Sequence, residues 1–544
     1  MHFKIKKISG HKYLYLIRNM RINGKMKQVK QICVGTADKV LALLMGKSDL
    51  IIKSYPFGTT AALLHAARRI GLVEAIDSAV GKKKMDGLTV GEYVLTLISA
   101  RADTQLSRAK VEGWFKESLL QFLLRPVYKL SSQNCLNQMR HLDKETIRTI
   151  QDTLTGNLLR MGICPTKLVF DTTNRFCYIE HGESIPRKAH SKQKRFDKNV
   201  IGLALAVNDA NLPFFSEVYP ANKNDAKVFP EVFEEICRRV DALRIDAKDI
   251  ILVIDKGNNS EGNIGKVIGK MHVVGALPKS VAGDILAIPE REFKDIYTNA
   301  KRHLIKGFAT HGTFYGRQMK VVIQYNAHTR SRQFRQYTKS KARILQGIED
   351  LRQRCLRPGK GRKPSEKGII NALGDLVQKK LRGVFEYGIE TAANGRPCPW
   401  MRVNTATEAE LIESMGKTAV FTDRLDMPDE ALVRAYNSKW MIEDDFKWFN
   451  DKVVMPLWPF YVRKDIPIQA HVFICVLGLM LYRFLQQELA ETKTSIPRLI
   501  EKLDRIRLAI AVEGNRKARF VVEKLDAETA KVFSTLDLAR FVPR

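Results

Sequence analysis

The chain has 544 residues, long enough for several domains and a large core, and its 45% hydrophobic content excludes a disordered chain. Its 91 lysines and arginines outnumber 58 aspartates and glutamates, giving a formal charge of +33 and a pI near 9.8. An excess that large repels itself unless a polyanion neutralises it, so nucleic acid is the expected partner.

The 8 cysteines are scattered singly, with no CxxC pair, and the 11 histidines show no zinc-ligand spacing. Reduced, mostly buried thiols in the cytoplasm are expected. The opening "MHFKIKKISG" lacks the apolar core of a signal peptide. The most apolar run, "HVFICVLGLMLYRFL" (His471 to Leu485), is short for a bilayer and reads as a buried core helix, so no membrane partner is expected.

Residues 1–45 alternate like strands, "KYLYLIRN" and "KMKQVKQICVG" joined by "MRING", and predict a small basic β-meander. Residues 46–160 switch to helical periodicity in "TAALLHAARRIGLVEAI" and "LTVGEYVLTLISARA"; His65 and His141 there read as structural. Over 161–280, "KLVFDTT", "NVIGLALAV" and "LPFFSEVYP" read as strands. The helix "AKVFPEVFEEICRRV" and the buried strands "DIILVID" and "HVVGALP" follow. Strands first, then alternating helix and strand, predict an α/β mixed sheet flanked by helices. Residues 281–410 break the pattern with "MKVVIQYN", the basic helix "SKARILQGIEDLRQRC" and the loop-like tract "LRPGKGRKPSEKG", which lacks Walker A spacing. Over 411–490, "TAVFTDRL" resumes a strand and "PDEALVRAYNSKWMIEDDFKWF" predicts one long helix. The tail, 491–544, is expected to be helical.

Asp171 and Asp255 each end an apolar strand, "LVFDTT" and "ILVIDKGNNS". Functional groups gather at the carboxyl ends of strands in open α/β sheets, although an aspartate there often only caps a turn. Side by side, the two would repel unless a divalent cation lay between them. In "YNSKWMIEDDFKWFND", Ile442, Phe446 and Phe449 make a buried helical stripe, with Glu443 at its edge. Tyr436, Lys439, Trp440, Glu443, Lys447 and Asn450 share a face, and Asp444 and Asp445 are expected to turn toward solvent. An ordinary ion pair of Glu443 with its lysines is the alternative.

The order Asp171, Asp255, Glu443 resembles the DDE triad of bacterial insertion-sequence transposases, in particular the insertion-sequence-four superfamily. That family's third acid lies in a Tyr-x2-Arg-x3-Glu-x6-Lys signature, matched here by Tyr436, Lys439 and Glu443. Lysine replaces the arginine, and Asn450 stands where the lysine belongs, with Lys447 and Lys452 nearby. "KAHSKQKRFDKNVIGLALAV", "VYPANKNDAKVF" (Ala221 in place of glycine), "IDKGNNSEGNI", "SRAKVEGWFKESLL", "LDMPDEALVRAY" and "DIPIQAHVFICVLGLMLYRFL" are similar to further family segments in the same order.

The resemblance implies a ribonuclease-H-like mixed sheet core interrupted by a β-rich insertion (281–410). It implies two magnesium ions, or manganese in their place, held by Asp171, Asp255 and Glu443, and no nucleotide cofactor. Water would first cut at the element's end, and the freed 3′ hydroxyl would then attack target DNA. The implied partners are double-stranded DNA, both element ends and target, and a second copy of the chain on paired ends, in the bacterial nucleoid. Tyr436, Lys439, Lys447, Lys452, Ser191, Lys192, Arg195 and Trp440 would contact DNA, and residues 1–160 would read the terminal repeats. Trp440 and Trp448 are candidates for base stacking, against a plain core role. A nuclease or domesticated transposase that does not transpose, and a non-catalytic DNA-binding protein, are the alternatives.

Overall fold

The computed structural model describes residues 2–543 except 23–24, 46–49, 82–86, 105, 125–129, 224, 358–364, 379–380, 394 and 514–517. The turn within "MRING" and most of the tract "LRPGKGRKPSEKG" therefore lie outside the described residues. The chain divides into two compact units. One holds residues 1–146, 451–461 and 477–544; the other holds 147–450 and 462–476.

The first unit opens with an antiparallel meander of β1 (His2–Ile8), β2 (His11–Ile22) and β3 (Lys25–Thr36). β4 (Leu50–Pro56) then interrupts the expected helical region, because it pairs with Arg507–Glu513 in the tail. Arg507–Glu513 pairs in turn with Arg519–Val522, so the tail is part sheet rather than wholly helical. Non-local pairing of this kind leaves no local periodicity to read. The helices between are as the periodicity predicts; Val90–Asp103 starts on a capping box in which Thr89 and Glu92 each accept the other's backbone N–H. His65 is buried with Nε2 2.6 Å from the Glu488 carboxylate, a structural role.

The second unit is built on a ten-stranded mixed sheet. Its strands are β5 (Lys167–Cys177), β6 (Arg187–Lys188), β7 (Asn199–Val207), β8 (Pro213–Pro220), β9 (Ile251–Val253) and β10 (His272–Ala276). β11 (Lys294–Thr298), β12 (Leu304–Phe314) and β13 (Arg317–Tyr325) continue it, and β16 (Lys417–Thr422) completes it. The order is β11-β12-β13-β16-β10-β9-β5-β7-β6, with β8 on β7. β5, β7 and β8 are antiparallel, while β9 and β10 run parallel to β5 on its other side.

Two corrections to the expected organisation follow. Strands β11 to β13 belong to the main sheet, so the true insertion lies between β13 and β16. It is dominated by the helices Ala327–Leu356 and Glu366–Leu376, with only the hairpin β14 (Phe385–Thr391) and β15 (Pro397–Val403). The expected β-rich insertion is therefore mostly helical.

Alternation along β5 decides what faces the site. Leu168 and Phe170 point into the core with the helix Asp225–Ala242, whose Phe229 meets Phe170 edge to face at 5.4 Å. Asp171 lies on the opposite face. Among the described residues one helix, Asp465–Glu488, is long and apolar enough to cross a bilayer, but 89% of its apolar window is buried within the protein, the behaviour of a core helix.

Candidate active site

β9 and β5 run parallel and adjacent, so Asp171 within β5 and Asp255 just past β9 come to the same region of the sheet. Their charges act on one another, and Lys439 acts on both. Asp171 is half-buried. That burial raises its carboxyl to about 6 against the pull of the Lys192 ammonium and of a hydrogen bond from Thr172 N at 2.7 Å; the Asp255 charge pushes it up further. Asp255 sits at the N-cap of a short 3-10 turn. Burial pushes its carboxyl up, but Lys439 Nζ, donating at 2.6 Å, more than offsets this and leaves it below the ordinary value.

The segment carrying Lys439 is not one long helix. It splits into Asp429–Asn437 and Trp440–Asn450, with a bend at Ser438 and Lys439. Local side-chain bonds explain the break: Ser438 Oγ donates to Ala435 O at 2.6 Å, and the Asn437 amide is held by Gln324 and by Tyr297. The bend lets Lys439 reach Asp255 and lie 5.1 Å from the Tyr436 ring. Burial raises the Tyr436 hydroxyl pKa against the pull of Lys439, with both Asp255 and Glu443 adding to the rise.

The second helix packs on β5 and β7 through Met441, Ile442, Asp445, Phe446 and Phe449. The buried stripe is wider than expected, and it corrects the reading of the three acids. Glu443 is exposed, and Asp444 accepts from Trp448 Nε1 at 3.0 Å. Asp445, expected in solvent, is fully buried. Met441 and Asp445 lie four residues apart, so the sheet-facing surface covers two adjacent rows rather than one. Trp440, 61% exposed, Glu443, Lys447 and Asn450 share the outer face. Lys447 Nζ lies 3.7 Å from Asp444, and Lys452, also exposed, belongs to the other unit.

Sequence reasoning missed Arg175, two residues beyond Thr173 on the Asp171 face of β5. Its NH1 donates to Asn450 Oδ1 at 2.5 Å, so the asparagine at the expected lysine position holds an arginine from the neighbouring strand. No linear motif signals a partner so distant in sequence. The loop 190–198 also has an unforeseen task. Beyond the short β9 pairing, β5 has an open edge, and the loop satisfies it with side chains: Lys192 Nζ donates to Thr172 O at 2.6 Å and Gln193 Nε2 to Asn174 O at 3.0 Å. Ser191 is fully buried with its hydroxyl turned to Gln193, so it is not open to a phosphate, whereas Lys192 and Arg195 reach the surface.

The oxygen donors of Asp171 and Asp255 suit a hard divalent cation, and the half-buried Asp171, raised by desolvation despite Lys192 and Lys439, is a carboxylate that a further positive charge would stabilise. Among the described residues, no group of three His, Cys, Asp or Glu lies close enough together to hold a metal ion, so Glu443 is not gathered with the two aspartates.

No curated protein matches the chain. Among solved structures, the Mos1 transposase paired-end complex with left transposon end aligns at 12% identity and a TM-score of 0.16, over 38% of this chain and 63% of that one, too slight a likeness to carry an argument. The chain thus spans less than two thirds of that protein's length. The family described as the transposase DDE domain matches residues 172–481, more than half of the sequence, starting one residue after Asp171. The chain belongs to the transposase DDE-domain family.

Proposed function

We propose that this chain is the transposase of a bacterial insertion sequence of the insertion-sequence-four type: it binds the element's terminal repeats, cuts there and joins the ends to target DNA. The observation that carries the reading is the meeting of Asp171 and Asp255 at adjacent parallel strands, with Lys439 bonded to Asp255 at the start of the Glu443 helix. Three antiparallel strands followed by two parallel ones on the far side of the first support a ribonuclease-H-like core.

Asp171 and Asp255 would hold magnesium, and Glu443, which stands apart from them in this structure, would have to come in to complete the set; the ions would supply an activated attacking oxygen and charge stabilisation at the leaving oxygen. The remaining tasks fall to this chain's own groups. Lys439 balances Asp255 and, with Lys192, offsets the negative charge that phosphate brings. Tyr436, held beside Lys439, fixes the ammonium's position. Trp440, Lys447, Lys192 and Arg195 offer exposed contacts to the DNA backbone, and Lys452 offers another from its own unit. A homodimer on paired ends, with residues 1–160 reading the repeats, completes the proposal.

The test is magnesium-dependent cleavage of DNA carrying the element's own ends, comparing wild type with Glu443→Gln. The variant is expected to bind the ends normally and cut them about a hundredfold or more slowly. Normal cutting by the variant sinks the assignment of Glu443. Cutting without joining to a second DNA favours the non-transposing nuclease.

A further inference from the structure

At the outer end of the Asp171 strand lies an aromatic surface, bordered by Arg175 and Arg195, whose rings have no part in the cleavage site. Phe176 and Tyr178 meet edge to face with centroids 5.8 Å apart, and Phe196 packs edge to face on His190 at 5.6 Å. Tyr178 and Phe196 are 55% and 61% exposed. Cations lie against these rings: Arg175 and Arg195 each 5.2 Å from the Phe176 centroid, Lys198 at 5.2 Å and Arg195 at 6.0 Å from that of Tyr178. Arg195 is held by a bidentate bond to Asp197 at 2.9 and 2.8 Å, and Arg175 by Asn450. The loop carrying Phe196 is tied to the open edge of β5 through Lys192 and Gln193.

A monomer gains nothing by leaving two large rings in water, and the charge around them makes an apolar protein partner costly to dock. A DNA duplex hides its base faces in the stack and offers such rings little. An unpaired strand offers both what exposed rings bind, the flat faces of its bases, and what the cations bind, its phosphates. We propose that Tyr178 and Phe196, flanked by Arg175, Arg195 and Lys198, form a platform for single-stranded DNA, on which unpaired bases stack while the cations hold the backbone. The proposal rests on the reading of this chain as an enzyme that cuts and joins DNA. Tyr178 stands seven residues beyond Asp171, roughly 20 Å away along an extended chain. By the alternation of β5, Phe176 and Tyr178 follow Phe170 onto the face opposite Asp171, so the platform would receive a strand that has left its complement near the cut and passes round the outer end of β5, several nucleotides from the reacting phosphate.

The experiment uses the full chain without divalent metal and a single-stranded oligo(dT) carrying 5-iodo-2′-deoxyuridine. Photocrosslinking followed by peptide mapping should place adducts on Tyr178 or Phe196. The double variant Tyr178→Ala, Phe196→Ala should lose about tenfold in affinity for the single strand and less than twofold for a duplex of the same length, while Tyr178→Phe keeps wild-type affinity. Adducts confined to other segments, or an equal loss on both DNAs, overturn the proposal. Because these are binding measurements, they succeed or fail independently of whether Glu443→Gln abolishes cleavage.

Discussion

Asp171 is a carboxyl whose desolvation works against stability. Its folded value of about 6 lies above the ordinary aspartate value of 3.8, so the native state holds its proton more tightly than the unfolded chain. Stability therefore falls as pH rises from about 4 through about 6, by on the order of 2 to 3 kcal/mol. In metal-free buffer, Asp171→Asn should raise the melting temperature at pH 7.5, and the gain should vanish at pH 3.5. An equal gain at both values would remove the explanation by charge burial. Asp445 is the converse case. It is fully buried and Glu443 is exposed, so the neighbouring acids separate by environment. Asp445→Ala should cost about 1 to 3 kcal/mol in thermal melting, by stranding the buried groups around it. It should leave cleavage per folded molecule close to wild type, whereas Glu443→Gln should do the reverse.

At the scale of elements, the site is held by packing on both faces of the sheet. Behind it, Arg239 of the helix Asp225–Ala242 is buried and bonds Asp152 at 2.6 Å, Gln151 at 3.1 Å and the Phe214 carbonyl. Burial lowers its pKa to about 10 despite the Asp152 charge. Arg239→Ala should destabilise this unit by about 3 kcal/mol, seen as earlier proteolysis or melting of the residues around it, because it takes a buried donor from the Phe214 carbonyl and from Gln151 Oε1, which keeps Ser216 N, and removes a buried partner of Asp152. A melting curve unchanged from wild type would show that the network contributes little. In front, the bend at Ser438 aims Lys439. Residue periodicity predicts one continuous helix there, and the break falls where the Ser438 hydroxyl takes the Ala435 carbonyl and the Asn437 side chain is held by Gln324 and Tyr297.

At the scale of the molecule, the charge of +33 should dominate encounter with DNA. Each phosphate neutralised releases counterions, so duplex affinity should fall by about a thousandfold or more between 50 and 200 mM salt, as measured by fluorescence anisotropy. A shallow dependence would mean that the excess charge serves something other than the DNA backbone.

The sequence by itself determined the apolar strands that lead to Asp171 and Asp255 and the helix that carries Glu443, and its charge predicted a polyanion partner; β9 stops short of Asp255 as expected, but β5 runs on past Asp171 to Cys177. Apolar runs, the aspartates that follow them and net charge are local or additive properties, readable without knowing what packs where. Only the tertiary structure decided the rest. It paired Leu50–Pro56 with the tail, joined β11 to β13 to the main sheet and buried Asp445 while exposing Glu443. It also brought Arg175 to Asn450 and turned the loop 190–198 into the missing edge of β5. Each of these rests on partners distant in sequence, and a backbone group or a charge chooses its partner by proximity in space.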